Sequence, residues 1–227
     1  TVIVDGLNGR TTDLDFGEDL GALAAEDFNG AKDLPEVLAK NLPLDLVVVM
    51  LGTNDAQAQF DRNADQVAQG AMHLVDIVRN INGGVLTTYG TPKVLLVTPP
   101  PMGDISKTPL SANMAGGVEI SQQFADAFDR AAKLANVPVF DAGSVIGTSG
   151  IDGIHFTAEE HAILGKGYPN WLAKTLADQG TSPNVVTINP TAAGGNSMQC
   201  HVLNLHAESI IQTRYPVNYS STGFSAW

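Results

Sequence analysis

Three short stretches of this 227-residue chain pair reactive side chains at spacings that could support chemistry. Asp152-Gly153-Ile154-His155 sets a carboxylate three residues before an imidazole. At that spacing the carboxylate can hold one ring nitrogen and leave the other free as a base. A half-buried, satisfied histidine in a helix-entry loop is the alternative. In Gly52-Thr53-Asn54-Asp55, the Asn54 side-chain N–H could be aimed at a developing negative oxygen. An ordinary Asx turn would use the same residues. In Asn8-Gly9-Arg10-Thr11-Thr12, Gly9 lets a backbone N–H approach a ligand closely, and a plain turn is again the alternative. A fourth feature is Ser197, a hydroxyl in the glycine-flanked turn Gly194-Gly195-Asn196-Ser197-Met198.

These residues need a scaffold, and the pattern around them supplies one. Val2–Val4, Leu46–Met50, Val94–Thr98, Val137–Phe140 and Val185–Ile188 are continuous apolar runs, expected of parallel strands covered on both faces. Between them, 64–81 carries Val67, Ala71, Leu74, Val75 and Val78 in one helical stripe, with Asp65, Gln66 and Arg79 off it. Segments 31–41, 117–136 and 157–178 are also expected to be helices. The last opens with Thr157 three residues before Glu160, a capping-box spacing. Such β-α repetition predicts an open, doubly wound sheet with helices on both faces. The Asn54 turn follows the strand Leu46–Met50, where such sheets bind ligands. The long loop from Pro99 to Gly117 is expected to form a lid or wall. After Gly180 the composition shifts to Ser, Asn, Thr and Gly, dividing the chain into 1–180 and a tail, 181–227.

Composition narrows the function classes. The 44% hydrophobic content excludes a disordered chain. With 24 acidic residues against 12 basic ones and a net charge of −12, nucleic-acid and polybasic membrane-surface binding are disfavoured. The apolar run Leu46–Leu51 is too short to span a bilayer. Cys200 is the only cysteine, so an intrachain disulfide and a cysteine metal cage are both excluded. His201 and His206 are too loosely spaced for a zinc pair, and Gly165-Lys166-Gly167 lacks the remaining residues of a phosphate-binding loop. His161, one turn into the last helix, is expected to be solvated. Asn218-Tyr219-Ser220 fits a glycosylation sequon, but no secretory leader is visible, which favours the cytoplasm.

Taken together, the first three motifs resemble the second, third and fifth blocks of the SGNH (GDSL) hydrolases. The match is carried by Gly9 in Gly-Leu-Asn-Gly-Arg-Thr-Thr, by Gly52-Thr53-Asn54-Asp55 and by Asp152-Gly153-Ile154-His155. The stretches 5–12, 42–55, 92–101 and 137–157 are similar to the bacterial aryl-esterase/acyltransferase branch, and the resemblance covers residues 1–178. It implies a flavodoxin-like sheet and a serine esterase acting on small acyl esters through an acyl-enzyme. His155 would be the base and Asp152 its orienter. Gly9 N–H, the Asn54 amide and the nucleophile's own N–H would form the oxyanion hole. No metal or organic cofactor is implied, and homo-oligomers are expected in this branch.

The family's first block, Gly-Asp-Ser-Leu at the end of its first strand, is absent, so the chain begins where the second strand would be. The resemblance then implies a vacant strand position between Val2–Val4 and Leu46–Met50. Unpaired buried backbone groups there would cost roughly 1–3 kcal/mol each. Val185–Ile188 is the expected replacement, which would make the chain a circular permutant with Ser197 as nucleophile and the order Asp, His, Ser. Two features oppose this: Ser197 lies nine residues beyond Ile188, and Asn196 replaces the block's Asp. Alternatively, Val185–Gly195 is similar to the opening of diacylglycerol-kinase-like lipid kinases, which would make the tail a fused fragment. The second functional class is therefore a truncated or chimeric SGNH-like protein that binds ligands without catalysis.

Overall fold

Every residue of Leu46–Val49 is buried, as a strand covered on both faces must be. In the computed structural model the described residues are 1–81, 88–148, 150–177 and 185–188, with the backbone alone described for 168–177 and 185–188. The strands are β1 (Val2–Asp5), β2 (Leu46–Val49), β3 (Lys93–Thr98), β4 (Val139–Asp141) and β5 (Val185–Ile188). The helices are α1 (Gly30–Asn41), α2 (Ala64–Asn80), α3 (Gly117–Ser121), α4 (Phe124–Leu134) and α5 (Ala158–Ala177). All strand pairings are parallel, and the sheet order is β1-β5-β2-β3-β4. Val185–Ile188 thus occupies the position between β1 and β2. Its last residue, Ile188, stands level with Asp5 on one side and Val49 on the other.

The apolar stripes decide which face each helix covers. Leu34 and Leu38 of α1, the α2 stripe, and Phe124 and Phe128 of α4 join Val47, Val49, Val94 and Leu96 in one buried cluster. On the opposite face, Leu164 of α5 joins Phe156 and Phe140 against Leu46, Val48, Leu95 and Val97. Alternate residues of β2 and β3 therefore enter different cores, the period-2 signature of a doubly wound sheet. Strand β1 departs from the expected full coverage: Val4 is exposed, and among the described residues this strand stands at the edge of the sheet.

Local chemistry sets the helix starts. The Asn29 side-chain oxygen accepts the N–H groups of Ala31 and Lys32 at 3.0 and 3.3 Å, starting α1. Asn63 and Gln66 form a reciprocal capping box at 2.9 Å in each direction, starting α2. Thr157 and Glu160 do the same for α5, at 2.6 and 3.2 Å. The expected helix over 117–136 is two helices instead. The Ser121 hydroxyl donates to the Val118 carbonyl at 2.8 Å and accepts the Met102 N–H at 2.9 Å, drawing this turn out of regular helix to anchor the neighbouring loop. His161 is buried, not solvated: its ring lies 5.1 Å from Phe156 on the face of α5 that meets the sheet.

Candidate active site

Because the sheet is parallel, the loops after β1, β2, β3 and β4 emerge at one end of it, where open α/β sheets bind ligands. The loops bearing Gly9 and Asn54 meet there. Asn54 Nδ2 donates to the Arg10 carbonyl at 3.0 Å, and Gln57 Nε2 donates to Asn54 Oδ1 at 3.3 Å. A carboxamide nitrogen carries two hydrogens, so one N–H of Asn54 fixes the side chain and a second remains for a ligand. Gly9 adopts φ +85, and a Cβ there would lie 3.2 Å from the Phe28 ring. The positive φ favours glycine, and any side chain would also press on the Phe28 ring.

The loop after β4 carries the Asp–His pair. His155 Nδ1 lies 2.6 Å from Asp152 Oδ2. An ionised carboxylate only accepts, so Nδ1 carries the hydrogen and Nε2 is the basic nitrogen. The other carboxylate oxygen accepts the N–H groups of Ile154 at 3.0 Å and His155 at 2.9 Å. Burial works against the charged form of Asp152. It is outweighed by the His155 N–H, the His155 ring and the Ile154 N–H, which hold the carboxyl below its ordinary value. The imidazole is 16% exposed and the carboxylate 22%, so the pair is sheltered yet reachable. Gly153, at φ +80, accepts the Gly103 N–H at its carbonyl oxygen at 2.7 Å, and a Cβ there would lie 2.9 Å from the Asp104 carbonyl oxygen. That contact docks the Asp152–His155 turn onto the loop after β3.

The loop from Pro99 to Gly117 is a wall anchored in the core by buried Met102, Ile105 and Met114. Together with Asp104, Val118 and Glu119 these residues line a cleft of about 580 Å³. Gly153 packs against Asp104 and Ile105, so the histidine turn abuts residues that line this cleft.

Sequence reasoning missed a charged cluster beneath this surface. Asp55 is fully buried and accepts the Thr12 N–H at 3.0 Å, the Thr12 hydroxyl, and Arg62 Nη1 at 3.3 Å. Arg62 also holds Asp13 at 2.7 Å. Burial pushes the Asp55 carboxyl up to about 6, against the opposing pull of Thr12 and Arg62. Gly70 makes the space, since a Cβ there would fall 2.1 Å from the Thr12 hydroxyl. Nearby, buried Arg10 bridges Asp5 at 3.2 Å and Asp33 at 2.8 Å, tying the end of β1 to α1. The readable signals were an acid directly after Asn54 and a threonine pair after Arg10.

Of the expected site residues, Gly9, Asn54, Asp152 and His155 all stand on loops at the carboxyl ends of strands. Ser197, with the rest of the glycine-rich turn and most of the kinase-like stretch, lies outside the described residues. Among the described residues, no group of three or more His, Cys, Asp or Glu could hold a metal ion, and no helix is long and apolar enough to cross a membrane.

A parallel α/β sheet that presents an Asp–His pair and an amide-bearing turn at its strand ends defines a class of hydrolases. Residues 1–163 match the GDSL-like lipase/acylhydrolase family, and the chain belongs to it. Solved structures agree. A carbohydrate acetylesterase from Sinorhizobium meliloti is 40% identical over 75% of this chain and 77% of its own, with a TM-score of 0.69. The aryl esterase of M. smegmatis is 42% identical over 77% and 76%, with a TM-score of 0.68. A second carbohydrate acetylesterase family member from S. meliloti is 36% identical over 76% and 78%, with a TM-score of 0.69. No curated protein matches the chain. The chain is a carboxylic ester hydrolase of the SGNH type.

Proposed function

We propose that this protein hydrolyses small acyl esters of the aryl- and acetyl-ester kind through an acyl-enzyme, and that Ser197 is its nucleophile. His155 Nε2 takes the serine proton as the hydroxyl attacks the ester carbonyl, then returns it to the departing alcohol. Asp152 holds the ring in the required tautomer and stabilises the imidazolium. Gly9 N–H and the free N–H of Asn54 receive the negative oxygen of the tetrahedral intermediate. A water, or an acceptor alcohol in an acyl transfer, then repeats the sequence on the acyl-enzyme.

The observation that carries the reading is the 2.6 Å His155–Asp152 contact, with its carboxylate pinned by two backbone N–H groups. The position of β5 supports Ser197. Ile188 ends between Asp5 and Val49, the strands that lead to Gly9 and Asn54, which is where the family's nucleophile strand belongs. A permuted order of Asp, His and Ser is compatible with a triad, because triads are defined by geometry. The test is an organophosphonate serine probe followed by peptide mapping. Label on the peptide containing Ser197, lost in His155→Ala, is the expected result. Label on another serine overturns the assignment of Ser197, and no label at all overturns the serine mechanism.

A further inference from the structure

Two half-buried phenylalanines bridge the loops that bear Gly9 and Asn54. Phe16 follows the Gly9 turn, and Phe60 closes the short helical turn Ala58–Phe60, directly after the turn that starts at Asn54. Their rings meet edge to face with centroids 5.5 Å apart. Behind them Phe16 leans on buried Phe28 at 4.7 Å, and the Phe28 ring stands 3.2 Å from the position a Gly9 side chain would take. A continuous aromatic surface therefore runs from the Gly9 backbone to the loop of Asn54. The phenylalanines of α4, in contrast, are wholly buried and serve the core. Leaving apolar area of two rings partly in water is unfavourable. An apolar ligand face laid on them would remove that cost.

From this geometry we propose that Phe16 and Phe60 form a subsite for the aromatic moiety of an ester whose carbonyl oxygen lies at Gly9 and Asn54. The inference rests on the esterase reading and adds its specificity-determining residues. A flat ring held here makes offset or edge-to-face contacts with the pair, while an alkyl group of similar length makes only the weaker dispersion contacts. The Phe28 ring fixes the distance between the platform and the oxyanion donors. The subsite therefore selects for a ring near the ester linkage over an alkyl group of similar length.

The test separates the platform from the chemistry. Binding of 2-naphthol is followed by its fluorescence in wild type, Phe16→Leu and Phe60→Leu, with a melting curve on each to check folding. The leucine variants keep apolar volume and remove the ring. Each is expected to weaken naphthol binding about two- to tenfold, the worth of one aromatic pair. In hydrolysis, each is expected to lower the kcat/KM ratio of phenyl acetate, or of methyl benzoate, to ethyl acetate by a similar factor. A change with phenyl acetate assigns the platform to the alcohol side, and a change with methyl benzoate assigns it to the acyl side. Unchanged naphthol affinity, or none in wild type, overturns the subsite whether or not the protein is an esterase. Weakened naphthol binding with both ratios unchanged also overturns it, because the rings would then bind outside the ester path. Wild-type protein that hydrolyses no ester while its naphthol binding depends on both rings overturns the esterase reading alone.

Discussion

Asp55 ties stability to pH in the direction opposite to most carboxylates, and the effect can be isolated. In the unfolded chain its proton leaves near the ordinary 3.8, whereas in the folded protein burial holds it until about 6. Between those values the native state binds more protons than the unfolded state, so stability falls as pH rises. At about 1.36 kcal/mol for each tenfold change in acidity, the loss approaches 3 kcal/mol once the carboxylate is charged, and no further loss follows at higher pH. Other groups mask this in a plain pH profile. Asp152, whose carboxyl is held low, contributes stability above the ordinary carboxylate range and loses it as pH falls. The clean quantity is the difference between wild type and Asp55→Asn, which cancels groups common to both. Urea denaturation followed by circular dichroism from pH 4 to 8 should give a difference that declines by about 2.5 kcal/mol, mostly below pH 6, and then levels off. A difference that is flat, or that rises with pH, would refute the reasoning. It would mean that the hydrogen bonds from Thr12 and Arg62 outweigh burial and keep the carboxylate charged throughout.

The remaining predictions follow from the site and the sheet. His155→Ala should lower kcat on phenyl acetate by several orders of magnitude and Asp152→Ala by less; unchanged turnover in folded His155→Ala would remove the base assignment. Asn54→Ala should cost about 100- to 1,000-fold in kcat with KM little altered, whereas a change confined to KM would make Asn54 a ground-state contact. Because β5 pairs with both β1 and β2, deleting residues 181–227 should destabilise the whole domain, and an unaltered melting temperature would show the tail to be accessory.

Legibility in the sequence followed the periodicity. The α2 stripe was readable because all five of its apolar residues face one core, and the strand runs of β2 and β3 because both their faces are covered. The resemblance pointed to Asp152, His155, Gly9 and Asn54 through glycine-bearing turns, and Gly9, Gly52 and Gly153 do adopt positive φ. The break between α3 and α4 was hidden, because it depends on a hydroxyl of Ser121 reaching a loop nineteen residues away. The burial of His161 was hidden too, since an imidazole on a helix does not reveal which face it occupies until the face of α5 against the sheet is known. Likewise, the Asp55–Thr12–Arg62 cluster joins residues from three separate segments, and no local spacing encodes it.

The position of β5 also has a consequence for the order of events as the chain is made. Among the described residues β1 has β5 as its sole sheet neighbour, so on this sheet order residues 2–5 join the sheet only once residue 188 has been synthesised and delivered. By then α1, β2, α2, β3 and α4 have already been available to one another. The interior position beside β2 stays unfilled meanwhile, with an edge of Leu46–Val49 presented to any strand that meets it. Completion of the sheet is therefore governed by a long-range insertion, which slows folding relative to local pairing and lengthens the exposure of an apolar edge. A nascent chain halted before Val185 would hold most of its helices and still be a substrate for chaperones.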